Sequence, residues 1–271
     1  MITYILFFIL PLFQTIGYSF TDYNGINPKK EFTGLTNYFD VFQDKWFYNS
    51  MAFTGKSVLL MILLANVLGF LLALALNTKI RSRNILRAIV FCPFVFNNVT
   101  VGFIWQFLLG RFMTDLYPLT GWKVFNIGWL SDNSLVLYSV VFVKLWQSIG
   151  YFMVIYLAGL QLLPQDPLEA AVIDGCTGIK MIRYITIPLM KPTAFVCIFL
   201  AITESLNMFP LIMSLTNGGP GHASENISLY IYNEAFKSHR MGYASALAVI
   251  LTIIMTIIAG LQMKLTREDA G

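Results

Sequence analysis

Leu168–Pro188 reads LEAAVIDGCTGIKMIRYITIP. It is a charge-bearing stretch between two apolar runs, with an acidic residue, paired alanines, spaced glycines and a closing Ile-x-Ile-Pro. A loop that only joins two helices needs a few residues. The local chemistry here predicts two short helices hinged at Gly175. Pro164 and Pro167 stop the preceding run; Asp166 then fits an N-cap, Pro167 the first helical position and Glu169 the third. Leu168, Ala171 and Val172 share one face of that helix, and the small Ala170 and Ala171 leave room for a partner to approach. Gly175 lets the backbone turn out. Thr177 can cap a second helix, whose Ile179, Ile182 and Ile185 recur at helical spacing. Such an element reads as a docking surface or as an amphipathic helix lying on a membrane.

Everything around it is apolar. The chain has 271 residues, 57% of them hydrophobic, 23 of them Phe, and only 12% charged. Soluble domains carry about 25% charged residues, so this composition predicts an all-α polytopic membrane protein. Six runs are long enough to span: Met1–Phe20, Val58–Leu76, Ala88–Leu109, Leu135–Leu163, Thr193–Leu215 and Ala244–Met263, with the polar loop at 164–192. The chain reads as a single membrane domain over 1–271. Met1 opens directly in apolar sequence without a basic flank, which predicts that the native chain extends upstream and is not a signal peptide.

Basic residues in short loops orient the spans. Lys79, Arg81, Arg83 and Arg87 crowd the loop after the second span; Lys180, Arg183 and Lys191 lie in the loop after the fourth; Lys264 and Arg267 follow the sixth. The remaining loops spread their lysines and arginines over longer segments. This bias predicts that both termini and Leu168–Pro188 are cytoplasmic. On the other side, Leu35–Phe47 reads as a short interfacial amphipathic helix, and Gly218-Gly219-Pro220-Gly221 must be a turn.

Two charges fall inside spans. At about 1.5 Å per residue, Lys144 lies about 14 Å into the fourth span and Glu204 about 16 Å into the fifth. A charge at bilayer depth is costly unless paired or solvated, and marks a functional site by default. Two readings stay open: a structural Lys144–Glu204 ion pair, or a polar cavity that holds cargo. Lys144, Gln147, Ser148 and Tyr151 share one helical face. Asn97, Asn98, Trp105 and Gln106 read mainly as glue between helices. Thr54-Gly55-Lys56-Ser57 ends like a phosphate-binding loop, but Ser50 stands where its first glycine belongs, so ATP hydrolysis on this chain is not expected. Cys92, Cys176 and Cys197, and His222 and His239, lack metal-ligand spacing, so no metal or cofactor is expected. The net charge of +4 is not gathered on a soluble face, so no nucleic-acid partner is expected.

Glu169-Ala170-Ala171, Asp174-Gly175 and Ile185-x-Ile187-Pro188 resemble the EAA loop of permease subunits of bacterial ATP-binding-cassette (ABC) importers. Ile187, where the family usually has Leu, and Cys176, where it has a small residue, are mild departures. Gly34–Phe42 (GLTNYFDVF), Leu145–Pro164 and Thr216–Gly221 (TNGGPG) extend the resemblance over nearly the whole chain, and point to the maltose-permease-like carbohydrate branch. The resemblance implies a type I importer fold of six transmembrane helices with a cytoplasmic coupling helix, Glu169, Ala170, Ala171, Asp174 and Gly175 contacting an ATPase. It implies two ATPase subunits holding ATP and Mg, a second related permease, an external solute-binding protein and the cytoplasmic membrane as location. It also places sugar contacts near Lys144, Gln147, Ser148 and Tyr151, and near Glu204, Ser205 and Met208. An acidic or modified saccharide would suit Lys144 if Glu204 does not neutralise it. The rival readings are an ion-coupled transporter, for which no inverted repeat is visible, and a permease of the same family for a non-sugar solute.

Overall fold

A computed structural model describes residues 2–27, 29–78 and 81–268. Met1 and Lys79, which entered the reading above, lie outside the described residues. The described residues form helices α1 (Ile5–Tyr18), α2 (Thr36–Gln43), α3 (Lys45–Leu76), α4 (Arg83–Val95), α5 (Asn98–Thr120) and α6 (Val136–Gln161). They continue with α7 (Gln165–Ile173), α8 (Ile179–Leu189), α9 (Lys191–Leu206), α10 (Phe209–Leu215), α11 (Ile227–Tyr232) and α12 (Met241–Glu268). Among them α3, α6 and α12 are long and apolar enough to cross a membrane unaided; counting two sharply bent pairs as single spans raises the number to five, and α1 is a shorter apolar helix.

α6 is the central helix: 67% of its most apolar stretch is buried, against 22% for α3 and for α12. Glycines let its neighbours come close. A Cβ on Gly69 of α3 would stand 2.8 Å from the Phe152 Cβ of α6, and one on Gly150 would stand 2.2 Å from the Val90 carbonyl oxygen of α4. Met61, Ala65, Val140, Val143, Phe152, Met153, Cys197 and Ala201 fill the space between α3, α6 and α9. A second cluster, with Val41, Phe47, Ile227, Tyr230, Tyr243 and Leu247, closes the far end of α3.

The structure differs from the sequence reading at several helix ends. The second span was expected from Val58; α3 begins at Lys45, where the Asp44 carboxylate accepts from the Trp46 N–H as an N-cap. The third span was expected as one run over 88–109. α4 and α5 instead meet at 93°. Pro93 tightens the end of α4 into a 3₁₀ turn, and Asn97 caps α5 by accepting from the Val99 N–H. The fifth span was expected as one run over 193–215. It breaks at Asn207–Met208, where Pro210 enters the first turn of α10 and has no N–H to give back to α9. No helix runs through Gly218–Gly221.

Candidate functional site

The polar loop folds as an elbow. α7 ends at Ile173, Gly175 stands at φ +74°, its N–H donates to the Val172 carbonyl, and the Cys176 N–H donates to Ala171. That pair of reversed bonds is a Schellman motif, and the left-handed position it needs suits glycine. The capping expectations are corrected. Asp166 is not the N-cap: the helix begins two residues earlier than expected, at Gln165 behind Pro164, and Asp166 sits in the first turn facing the helix dipole. Thr177 does not cap α8. Gly178 at φ +60°, ψ −131° precedes it, a conformation open essentially to glycine alone.

Glu169, Ala170, Asp174 and Gly175 are exposed on this elbow, while Ala171 is buried. Val172, Ile173 and Ile179 are also exposed, the last two over more than four-fifths of their surface. Gln165, Leu168, Glu169, Val172, Ile173 and Met181 line an open groove of about 510 Å³. The elbow thus presents apolar side chains beside one carboxylate, on backbone whose turn is closed by its own hydrogen bonds.

The two intramembrane charges meet. Lys144 Nζ lies 2.5 Å from Glu204 Oε2 and donates to Asn98 Oδ1 at 3.3 Å. The lysine is 2% exposed, whereas the glutamate side chain keeps 27%. One turn along α6, Gln147 donates from Nε2 to the Phe96 carbonyl at 2.9 Å. That carbonyl belongs to the break between α4 and α5, so the amide satisfies backbone that the bend leaves without a helical partner. Since a carbonyl needs a donor, the Gln147 orientation is fixed, and its buried Oε1 has no partner among the described residues. Both broken helices, α4–α5 at Phe96–Asn97 and α9–α10 at Asn207–Met208, therefore open beside the ion pair. Irregular backbone at membrane depth is tolerated where it is packed in protein or lines a wet cavity.

The other candidates divide. Ser148 donates to the Lys144 carbonyl and Ser205 to the Ala201 carbonyl, so each hydroxyl gives its proton within its own helix and keeps only acceptor capacity. Tyr151 stacks on Phe94 with ring centroids 4.5 Å apart, which covers one face of the ring. Met208 is fully buried at the α9–α10 break. Asn98, read as helix glue, joins α5 to α6 by accepting from Lys144. Asn97 is spent as a cap, Trp105 packs edge-on against Phe142 and Trp146, and Gln106 points outward.

A third cluster had no signal in the sequence. At the start of α3, Asp44 accepts from the hydroxyls of both Tyr230 and Tyr243, the latter at 2.5 Å. Burial raises the Asp44 carboxyl, but the tyrosine hydroxyls and the Trp46 and Phe47 N–H groups outweigh it and hold the group below its ordinary 3.8. Nearby, the buried Glu225 carboxylate takes Asn233 and the His222 imidazole, and His222 packs on Trp46. These bonds tie the glycine-rich turn to the start of α3.

Comparison with known proteins agrees with this architecture. Residues 65–267 match the family described as the binding-protein-dependent transport system inner membrane component. The chain is 36% identical over 270 residues to a probable starch degradation products transport system permease protein of Thermoanaerobacterium thermosulfurigenes, covering 99% of this chain and 91% of that protein. It is 33% identical over 268 residues to a multiple sugar-binding transport system permease protein of Streptococcus mutans, covering 99% and 92%. A crystal structure of a bacterial ABC transporter involved in the import of the acidic polysaccharide alginate superposes with a TM-score of 0.82 at 21% identity, over 98% of this chain and 92% of that one. At that identity the likeness carries the fold alone, and the fold is the all-α importer permease type that the EAA resemblance implied. With the family match covering most of the length and the relatives covering nearly all of it, this chain belongs to the family of inner membrane components of binding-protein-dependent transport systems.

Proposed function

We propose that the chain is the membrane-spanning permease subunit of an ABC importer for a sugar or oligosaccharide. It takes cargo from an external solute-binding protein and passes it across the cytoplasmic membrane. Energy comes from two separate ATPase subunits, which bind ATP and Mg and seat the α7–α8 elbow in a cleft. A second related permease completes the pathway. Both termini and the elbow face the cytoplasm, in keeping with the crowding of Arg81, Arg83, Arg87, Lys180 and Arg183 on that side. The observation that carries the reading is the elbow itself: an exposed helix–Gly–helix unit with Ile173 and Ile179 bare, in a chain of this family. The names of its relatives support a carbohydrate cargo. ATPase closure would shift the permease between two states only through contacts that differ between them, and Glu169 and Gly175 are the residues assigned to those contacts. Cargo is assigned to the face carrying Lys144, Gln147, Ser148, Tyr151, Glu204, Ser205 and Met208.

Co-purification tests the first half. An ATPase should come down with the wild-type chain and be lost from Glu169→Lys. Uptake by the isolated chain in a proton or sodium gradient would instead establish the ion-coupled rival. Lys144→Ala tests the second half: uptake in reconstituted vesicles should fall while the ATPase still co-purifies. Undiminished uptake would remove Lys144 from the cargo path.

A further inference from the structure

We propose that the groove between α3, α8 and the start of α9 seats an acyl chain of an anionic phospholipid, whose headgroup is held by the arginines and lysines that flank it. The inference goes beyond the function proposed above: it rests on the membrane location alone, and neither the cargo nor the orientation enters it. The groove is open and holds about 510 Å³. Val67, Leu71 and Leu74 of α3 form one wall; Ile182 and Ile187 of α8, with Met190, form the other. The polar side chains at its inner end are already satisfied. The Tyr156 hydroxyl donates to Asn66 Oδ1 at 2.7 Å, and Asn66 Nδ2 donates to the Ile62 carbonyl at 2.6 Å. What remains on offer is hydrocarbon. Along α3 the wall runs from Asn66 to Leu74, about 12 Å at about 1.5 Å per residue. That is close to the hydrocarbon depth of one leaflet, about 15 Å. Charge decides what such a chain is attached to. Residues 57–114 and 175–203, which build the groove, contain no Asp or Glu. Around it they carry Arg81, Arg83, Arg87, Lys180, Arg183 and Lys191. Arg87 donates from Nη2 to the Leu76 carbonyl at 2.6 Å, which sets a guanidinium just beyond Leu74. Lys180 and Arg183 follow Ile179 and Ile182 in α8, and Lys191 follows Met190; all three are exposed. Among the described residues none of the six has a carboxylate partner. An apolar helix from another subunit would fill the groove and leave this positive charge unanswered. An anionic amphiphile answers both, and each Lys or Arg near its headgroup is worth about fivefold in affinity. The bound lipid would join α3 to the helix that leads out of the elbow.

The test purifies the membrane complex through this chain, with the subunits that accompany it. In mixed micelles it meets phosphatidylglycerol or phosphatidylcholine, each carrying a photoactivatable diazirine midway along one acyl chain. Crosslinked peptides are counted by mass spectrometry per assembled complex. Phosphatidylglycerol should label peptides covering 66–74 and 179–190 about tenfold more than phosphatidylcholine, as two or more flanking cations require. Arg183→Gln combined with Lys191→Gln should cut that labelling about tenfold and leave labelling by phosphatidylcholine as it was. Val67→Trp, which sets an indole in the groove, should abolish the groove label from both lipids; if that variant does not assemble, the double variant decides alone, since it leaves the apolar walls intact. Equal labelling by the two lipids, or unchanged labelling in the double variant, would overturn the anionic headgroup. No groove label from either lipid, in a complex labelled elsewhere, would mean that an accompanying subunit covers the groove, and would overturn the lipid site. None of these readouts uses uptake, so a failed lipid site leaves the sugar permease standing, and a chain that carries no sugar leaves the lipid site standing.

Discussion

The α7–α8 elbow and the Lys144–Glu204 cluster are opposites in how they are built. The elbow is apolar side chains held out in the open; the cluster is charge held in the interior. Neighbouring residues make the elbow: Gly175, Cys176 and Gly178 set its angle through bonds that span only a few positions. Distant segments make the cluster: Asn98 on α5, Lys144 and Gln147 on α6, Glu204 on α9. A surface built locally keeps its shape while a partner pulls on it. A buried site built from three helices changes whenever those helices move.

Three substitutions break or sharpen that contrast. Gly150→Val should have the largest effect. Its Cβ would fall 2.2 Å from the Val90 carbonyl oxygen and 2.6 Å from the Phe91 Cα, and backbone on both sides cannot yield. The α4–α6 approach that carries Gln147 to Phe96 would open, at a cost of about 3 kcal/mol or more. Thermal unfolding of the detergent-solubilised complex measures it, and a melting temperature equal to wild type would mean that the approach is not tight. Gly175→Ala should be milder. The added Cβ meets nothing within 4 Å, so only the left-handed backbone at φ +74° is penalised, by about 1–2 kcal/mol. The fold and sugar uptake per assembled complex should survive, while ATPase retention at dilution weakens. An unchanged dissociation rate would detach the elbow angle from docking.

The smallest effect concerns neither region, and so serves as their control. Asp44 has its carboxyl lowered in the fold, so its contribution to stability is complete above the unfolded value of 3.8 and is lost as pH falls through the lower folded value. Asp44→Asn should therefore flatten the decline in melting temperature below about pH 4 and, since Asn keeps an acceptor oxygen, cost only about 1 kcal/mol at neutral pH. An equally steep acid decline in the variant would show that the tie to Tyr230 and Tyr243 does not titrate.

The helical, membrane-bound character was legible because composition and run length are local quantities: a chain with so little charge must put its apolar faces against lipid. The Gly175 hinge was legible for a similar reason, since glycine is the residue for which φ > 0 is cheap. The exact caps were not. Asp166 and Thr177 are good capping residues at plausible positions, but Pro164 and Gly178 took the boundaries through backbone geometry. The breaks at Phe96–Asn97 and Asn207–Met208 were missed because both sit inside apolar runs that satisfy a span by length. Pro93 and Pro210 were visible, yet a bend of 93° also needs a donor for the carbonyl it frees, and that is the Gln147 amide from another helix.

By itself the sequence determined that this is a helical membrane chain, that a structured polar elbow interrupts it, and that Lys144 and Glu204 lie at comparable depth. Only the tertiary structure decided between a free charge and a paired one. Depth follows from counting residues along a helix axis, but pairing depends on which faces of α6 and α9 turn toward each other. That rotation is set by close contacts between the two helices, such as Gly159 of α6 against Thr193 of α9, whose residues lie far apart in the chain. The same holds for Asp44, whose tyrosine partners lie 186 and 199 residues away. No local rule reaches that far; packing does.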